Sequence, residues 1–198
     1  MRVIAGLYRR RLLNSLPGME IRPTSDRLRE TLFNVLCAGN PDALVGSAWL
    51  DLYAGTGAVG IEALSRGARM VQFAESCPAA IKLIRANLNS LGIVGGFKTV
   101  NLDAGKALRQ QQSMGISVDF VFLDPPYSEH LEYAKMLALL GESSILQEGS
   151  VVIAEHDKRF DPGETHGSLL RYRTLKQGDA ALSFYRKHQI QDLIAPIP

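Results

Sequence analysis

The segment Asp51-Leu52-Tyr53-Ala54-Gly55-Thr56-Gly57-Ala58-Val59-Gly60 joins an apolar run, Ala48 to Tyr53, to a helix-patterned stretch, Ala58 to Arg66. Gly55, Gly57 and Gly60 match the spacing G-x-G-x-x-G, and they do so between a strand and a helix, where such glycines let the backbone turn tightly and approach a ligand. Asp51 narrows the reading. It lies at the carboxyl end of the strand, four positions before Gly55. A dinucleotide would bring an anionic pyrophosphate to this turn, whereas S-adenosylmethionine has no phosphate and carries a sulfonium and an ammonium. At about 4 Å and an effective dielectric near 20, each such charge pair amounts to roughly 4 kcal/mol. The sign of Asp51 therefore points to a cationic methyl donor, with Tyr53, Gly55, Thr56 and Gly57 as further expected contacts.

Outward from this turn the chain alternates. Strands are expected at Arg69 to Glu75, Phe97 to Leu102, Val118 to Leu123 and Ser150 to Glu155. Helices are expected at Pro78 to Leu91, Gly105 to Met114 and Glu129 to Leu140. Short strand-helix units in this order call for a parallel sheet covered on both faces. Leu169 to Leu175 and Ala180 to Lys187, joined at Gln177-Gly178-Asp179, read instead as a hairpin. Residues 1 to 13 read as a β-hairpin turning near Gly6-Leu7. From Thr24 to Ala38, Leu28, Thr31, Leu32, Val35 and Leu36 form one face of a helix that Thr24 or Ser25 can cap. Three parts are expected: an N-terminal extension over 1–40, a main domain over 41–188 and a tail over 189–198.

Two further strand ends carry acids. Glu75 closes Val71-Gln72-Phe73-Ala74-Glu75, where a carboxylate can accept both hydroxyls of an adenosine ribose. Asp103, followed by Ala104, sits where it can accept from an adenine amine or, equally, cap the next helix. The reaction is suggested by Leu123-Asp124-Pro125-Pro126-Tyr127. Consecutive prolines fix the backbone and remove two donors, leaving carbonyls free to point into a crevice. An exocyclic base amine is a poor nucleophile because its lone pair is delocalised into the ring. A carboxylate at Asp124 and the carbonyl of Pro125 can accept its two hydrogens and aim the lone pair at a methyl group, so positioning and electrostatics supply most of the rate. Tyr127 can stack on the base.

Composition bounds the rest. With 198 residues, 46% apolar and 21% charged, the chain has material for a real core. No run approaches the roughly 20 apolar residues that span a bilayer, and Met1-Arg2-Val3-Ile4-Ala5-Gly6 opens no apolar signal segment. Cys37 and Cys77 are too few and too far apart for a disulfide scaffold or a zinc site, and His130, His156, His166 and His188 lack ligand spacing. A metal-free cytoplasmic protein is expected. The net charge of +2 hides an uneven distribution. Residues 1–30 carry Arg2, Arg9, Arg10, Arg11, Arg22, Arg27 and Arg29 against Glu20, Asp26 and Glu30. Residues 167–188 carry five cations against Asp179. Basic ends around an acidic middle suit a polyanion touched at the edges.

Asp51-x-x-x-Gly55-x-Gly57 together with Asp124-Pro125-Pro126-Tyr127 resembles the class I S-adenosylmethionine-dependent methyltransferases acting on exocyclic amines. More closely, Arg22-Pro23-Thr24-Ser25-Asp26-Arg27-Leu28-Arg29-Glu30-Thr31-Leu32-Phe33-Asn34 is similar to a signature of the bacterial 16S ribosomal RNA guanine-N2 methyltransferase family. So are the opening Arg2-Val3-Ile4-Ala5-Gly6, the Glu62-Ala63-Leu64-Ser65-Arg66-Gly67 helix end and the closing hairpin; the likeness covers about residues 1–187. Ser25 stands where the family has threonine, which keeps the hydroxyl. The resemblance implies an α/β, Rossmann-like fold with a seven-stranded, mostly parallel sheet and an antiparallel last pair. It also implies S-adenosylmethionine as donor and a guanine of small-subunit rRNA, free or in a 30S assembly particle, as acceptor. Arg9, Arg10, Arg11, Arg22, Thr24 and Arg27 are the expected RNA contacts, in a protein expected to be monomeric. A DNA adenine-N6 methyltransferase, a glutamine-modifying protein methyltransferase and a non-catalytic RNA-binding scaffold are the alternatives. Fewer than 50 residues outside the core leave little room for duplex reading, asparagine is commoner than aspartate at position 124 in the glutamine enzymes, and an intact Asp124 argues against a scaffold.

Overall fold

The computed structural model describes residues 1–15 and 25–188. The Leu16-Pro17-Gly18 turn, Arg22, Pro23, Thr24 and the tail over 189–198 lie outside the described residues. Helix α1 (Asp26–Leu36) starts at a serine cap: the Ser25 hydroxyl accepts the Leu28 amide at 3.1 Å. Leu28, Leu32 and Phe33 are buried while Arg27 stays exposed, as the periodicity requires.

The chain forms two compact units, Met1–Ala107 and Leu108 onward. The first unit holds β1 (Ala48–Leu52), α2 (Ala58–Ser65), β2 (Met70–Ala74), α3 (Pro78–Ser90) and β3 (Phe97–Val100). Its strands run parallel in the order β3-β2-β1, with Asp51 beside Phe73 and Phe73 beside Thr99. Every residue of β1 is buried, the signature of a strand covered on both faces. Helix α4 (Ala104–Ser113) contains the boundary between the units.

The second unit holds β4 (Val118–Leu123), α5 (His130–Gly141), β5 (Leu146–Asp157), β6 (Thr165–His166), β7 (Leu169–Gln177) and β8 (Ala180–Lys187), in the strand order β4-β5-β8-β7-β6. β4 and β5 are parallel, with Leu123 beside Ala154, and β8, β7 and β6 follow antiparallel. Together the described strands number eight, not seven. The addition is β6, two residues long and too short to leave any periodicity. β5 also runs longer than its apolar run: polar Gln147, Glu148 and Gly149 extend it back to Leu146, which pairs with Val118 across a register shift.

The expected N-terminal hairpin is reduced to one antiparallel bridge, Arg2 with Leu12, closed by Val3 N–H to Arg11 O (2.9 Å) and Arg10 N–H to Val3 O (2.8 Å). The reason is competition for its donors. The amides of Ile4 and Ala5 go to the Glu62 carboxylate at 2.8 and 3.0 Å. Those of Leu7 and Tyr8 go to the Ser65 carbonyl (2.7 Å) and hydroxyl (3.0 Å). The strand is thus an arm laid on the end of α2. The packing needs a glycine at Gly6, where a β-carbon would sit 1.8 Å from Ser65 O.

Candidate active site

In the first unit, the loop from Asp51 to Gly60 is shaped by left-handed backbone. Tyr53 (φ 59°) and Gly57 (φ 77°) bracket it, and Gly57 is the N-cap of α2. Tyr53 pays the steric cost that glycine avoids, and such outliers gather at ligand-holding turns. Gly60 has a packing role: a β-carbon there would lie 2.3 Å from Cε1 of Phe73, so its absence lets α2 lie close on β2.

Asp51 is buried, and its Oδ2 accepts the Gly60 amide at 3.0 Å. Burial pushes its carboxyl up to about 8. The Gly60 hydrogen bond opposes that rise and the nearby Glu75 charge adds to it. Glu75 grips the loop from the other side: Oε2 accepts the Gly55 amide (3.0 Å) and Oε1 the Cys77 amide (2.8 Å). The same carboxylate therefore ties the glycine turn to the start of α3, and its remaining lone pairs are its capacity for ribose hydroxyls. Asp103 caps α4, its Oδ1 accepting the Lys106 amide (2.9 Å) and its Oδ2 pairing with Lys106 Nζ (3.0 Å); Ala104 is buried beside it.

Thr56 is held on two sides. Its carbonyl accepts from Nδ2 of Asn87 at 3.1 Å, and its hydroxyl lies 3.9 Å from the Met1 sulfur. Asn87, on α3, was not singled out by spacing, because its partners come from distant parts of the chain. Among the basic arm residues, Arg9 and Arg10 are exposed, Arg10 with φ 68°, while Arg11 donates to Ser90 O at 2.7 Å. Arg29 is fully buried: it donates to Arg2 O and to Asp26 Oδ1 (2.9 Å) and lies 3.8 Å from Glu62. It belongs to the scaffold, not to a polyanion-binding face, and burial lowers its pKa against the pull of Glu62 and Asp26.

In the second unit, Asp124-Pro125-Pro126-Tyr127 follows the buried end of β4. Asp124 and Tyr127 are half-buried, Pro125 buried and Pro126 exposed. Two tyrosine hydroxyls pin this turn to residue 155. Tyr127 donates to Oε1 of Glu155 at 3.0 Å; Tyr133 reaches Pro125 O at 3.1 Å and Glu155 O at 2.9 Å. Burial first, then the Glu155 and Asp124 carboxylates, drive both phenols well above their usual range, so they stay protonated and able to donate. Because Tyr133 shares one proton between two carbonyls, Pro125 O keeps accepting capacity. Glu155 and Tyr133 were missed from the sequence. Glu155 did carry a signal, since it ends the apolar run Val151–Ala154 as Asp51 and Asp124 end theirs.

Parallel strands with interleaved helices, a glycine turn between two strand-end acids and a D-P-P-Y turn after β4 define an α/β, Rossmann-like methyltransferase fold of class I. A family model described as conserved hypothetical protein 95 matches residues 1–186, and the chain belongs to that family. It is 34% identical over 187 residues to ribosomal RNA small subunit methyltransferase D of Escherichia coli K12, covering 94% of this chain and 90% of that one. It is 36% identical over 160 residues to the protein of the same name from Haemophilus influenzae, covering 80% and 79%. The solved structure of yhhF from Escherichia coli superposes with a TM-score of 0.80 at 30% identity, covering 95% of this chain and 98% of that one. Among the described residues, no helix is long and apolar enough to cross a membrane, and no group of histidine, cysteine and acid side chains is arranged to hold a metal.

Proposed function

We propose that this chain is an S-adenosylmethionine-dependent methyltransferase that methylates the exocyclic N2 amine of a guanine in small-subunit ribosomal RNA. The donor is assigned to Asp51, Tyr53, Gly55, Thr56, Gly57, Glu75, Asp103 and Ala104. The fit rests on the chemistry of the donor set: a backbone turn free of side chains at Gly55 and Gly57, between two acids suited to a cation and a ribose. When bound, S-adenosylmethionine supplies an electrophilic methyl group. The acceptor amine is assigned to Asp124 and the Pro125 carbonyl, with Tyr127 stacked on the base. With both amine hydrogens engaged, the nitrogen would be drawn toward tetrahedral geometry and its lone pair freed to take a methyl group. The proton released from nitrogen has the Asp124 carboxylate as its acceptor.

The observation that carries this reading is the turn after β4, where Asp124 is half-buried next to Pro125, whose carbonyl is held by the Tyr133 hydroxyl, and Tyr127 is tied to Glu155. The names of the relatives support rRNA as substrate, and they leave the DNA adenine alternative without support. Residues 1–40 are assigned as the RNA-facing extension, with Arg9, Arg10, Arg11, Arg22, Thr24 and Arg27 as contacts, and 41–188 as the catalytic domain of a cytoplasmic monomer. Methyl transfer from radiolabelled donor to 30S particles, naked rRNA and unmethylated DNA tests the assignment, with digestion to nucleosides and mass spectrometry. N2-methylguanosine in rRNA is expected; label in DNA alone would overturn it. Asp124→Ala should abolish transfer while leaving donor affinity near wild type.

A further inference from the structure

The arm and the glycine loop meet at one buried side chain. Asn87, fully buried on α3, accepts the Asn14 amide at Oδ1 (2.8 Å) and donates from Nδ2 to Asn14 O (3.2 Å) and Thr56 O (3.1 Å). One amide group thereby engages both backbone groups of Asn14 and the carbonyl in the middle of the Gly55–Gly57 turn. The pattern also fixes its orientation, because exchanging oxygen and nitrogen would set donors against the Asn14 amide and an acceptor against two carbonyls. A second contact runs in parallel: Met1, whose carbonyl accepts the Leu13 amide at 3.1 Å, places its sulfur 3.9 Å from the Thr56 hydroxyl. A third reaches the basic tip. Arg11 donates to Ser90 O (2.7 Å), and the Ser90 hydroxyl donates to Asn87 O (2.8 Å).

Building on the function proposed above, we infer that Asn87 is a positioning residue that couples the N-terminal arm to the Gly55–Gly57 loop, so that RNA on the arm and methyl donor in the loop tighten each other's binding. The physical basis is shared ordering. The arm is tied to α2 through Glu62 and Ser65, to α1 through Arg29, and to the glycine loop through Asn87. A ligand that fixes either the arm or the loop fixes Asn87, and the second ligand then has less left to order. Such coupling is reciprocal: whatever factor RNA adds to donor affinity, the donor adds to RNA affinity.

Hydrogen exchange on the full-length wild-type protein, with and without S-adenosylhomocysteine, tests this without a mutation. The product should slow exchange at the glycine-loop amides and also at the Asn14 amide. Slowing at the loop with no change at Asn14 overturns the coupling and leaves the functional reading intact; no uptake of S-adenosylhomocysteine at all overturns the functional reading itself. Calorimetry gives the second measurement. S-adenosylhomocysteine should bind wild type at least about 5-fold more tightly when deproteinised small-subunit rRNA is bound, and in Asn87→Ala that ratio should fall toward one. A merely structural Asn87 would alter both affinities and leave their ratio unchanged, which would overturn the inference. Should Asn87→Ala not fold, the exchange result at Asn14 decides.

Discussion

Asp51 combines two demands on one carboxyl group: full burial and a charge suited to a cation. With its carboxyl raised to about 8, it holds a proton over part of the neutral range in the unliganded protein. A cation beside it favours the ionised form, so affinity for S-adenosylmethionine should fall as pH drops below about 8, and binding should release a proton. Calorimetry in buffers of different ionisation heat measures that release, and Asp51→Asn should abolish it. Stability should follow the opposite preference. A folded-state pKa above the ordinary 3.8 means stability is lost as pH rises from there through about 8. Denaturant unfolding of Asp51→Asn against wild type should show the variant gaining across that window and the gap then levelling. At the other end of the chemistry, Tyr127→Phe keeps the ring and loses the bond to Glu155, which should cost about 1–2 kcal/mol of stability. Tyr127→Ala loses the stacking face as well and should turn over more slowly than Tyr127→Phe; equal rates would contradict the stacking role.

At the scale of elements, the end of α2 does the most. Glu62, fully buried, accepts two arm amides and the Arg66 Nε (2.8 Å), with Arg29 at 3.8 Å. Arg66 in turn lies over Phe33 at 4.8 Å, and Phe33 packs on Trp49. Removing the carboxylate leaves Arg29 buried beside one fewer counter-charge and releases two backbone donors. Glu62→Ala should therefore destabilise by about 3–5 kcal/mol, seen in urea unfolding. Much of the framework was legible beforehand because strand-end acids and glycine turns are local patterns. Asp51, Glu75 and the turn after β4 sit where their strands end. Glu62, Asn87 and Tyr133 were not legible, since their partners lie 58, 73 and 22 residues away and no spacing within a motif records them. That the N-terminal hairpin is pared down to one bridge has a related reason: alternation reports which residues face the core, and it is silent on where the backbone amides go.

For the whole molecule, the charge asymmetry survives the fold only in part. Arg29 is spent inside the scaffold, Arg2 faces Asp26 at 3.7 Å and Arg11 is tied to Ser90 O. Arg9, Arg10 and Arg11 stay exposed to meet phosphates, and Arg9 and Arg10 do so away from the Arg11 bond to Ser90 O. Reversing them together, Arg9→Glu with Arg10→Glu, should weaken rRNA binding and reduce the slope of log affinity against log salt by roughly 1.5–2. An unchanged slope would return both to the role of solvated surface charge. Because neither side chain is part of the arm's docking on α2, thermal unfolding of the double variant should match wild type.

The docking of the arm on α2 also dictates an order of events during translation. Ile4 leaves the ribosome 58 residues ahead of Glu62, the group that receives its amide. At ordinary elongation rates that interval is roughly 3–12 s. Throughout it the nascent arm has no acceptor to settle on, and it acquires its final shape only when α2 has been made.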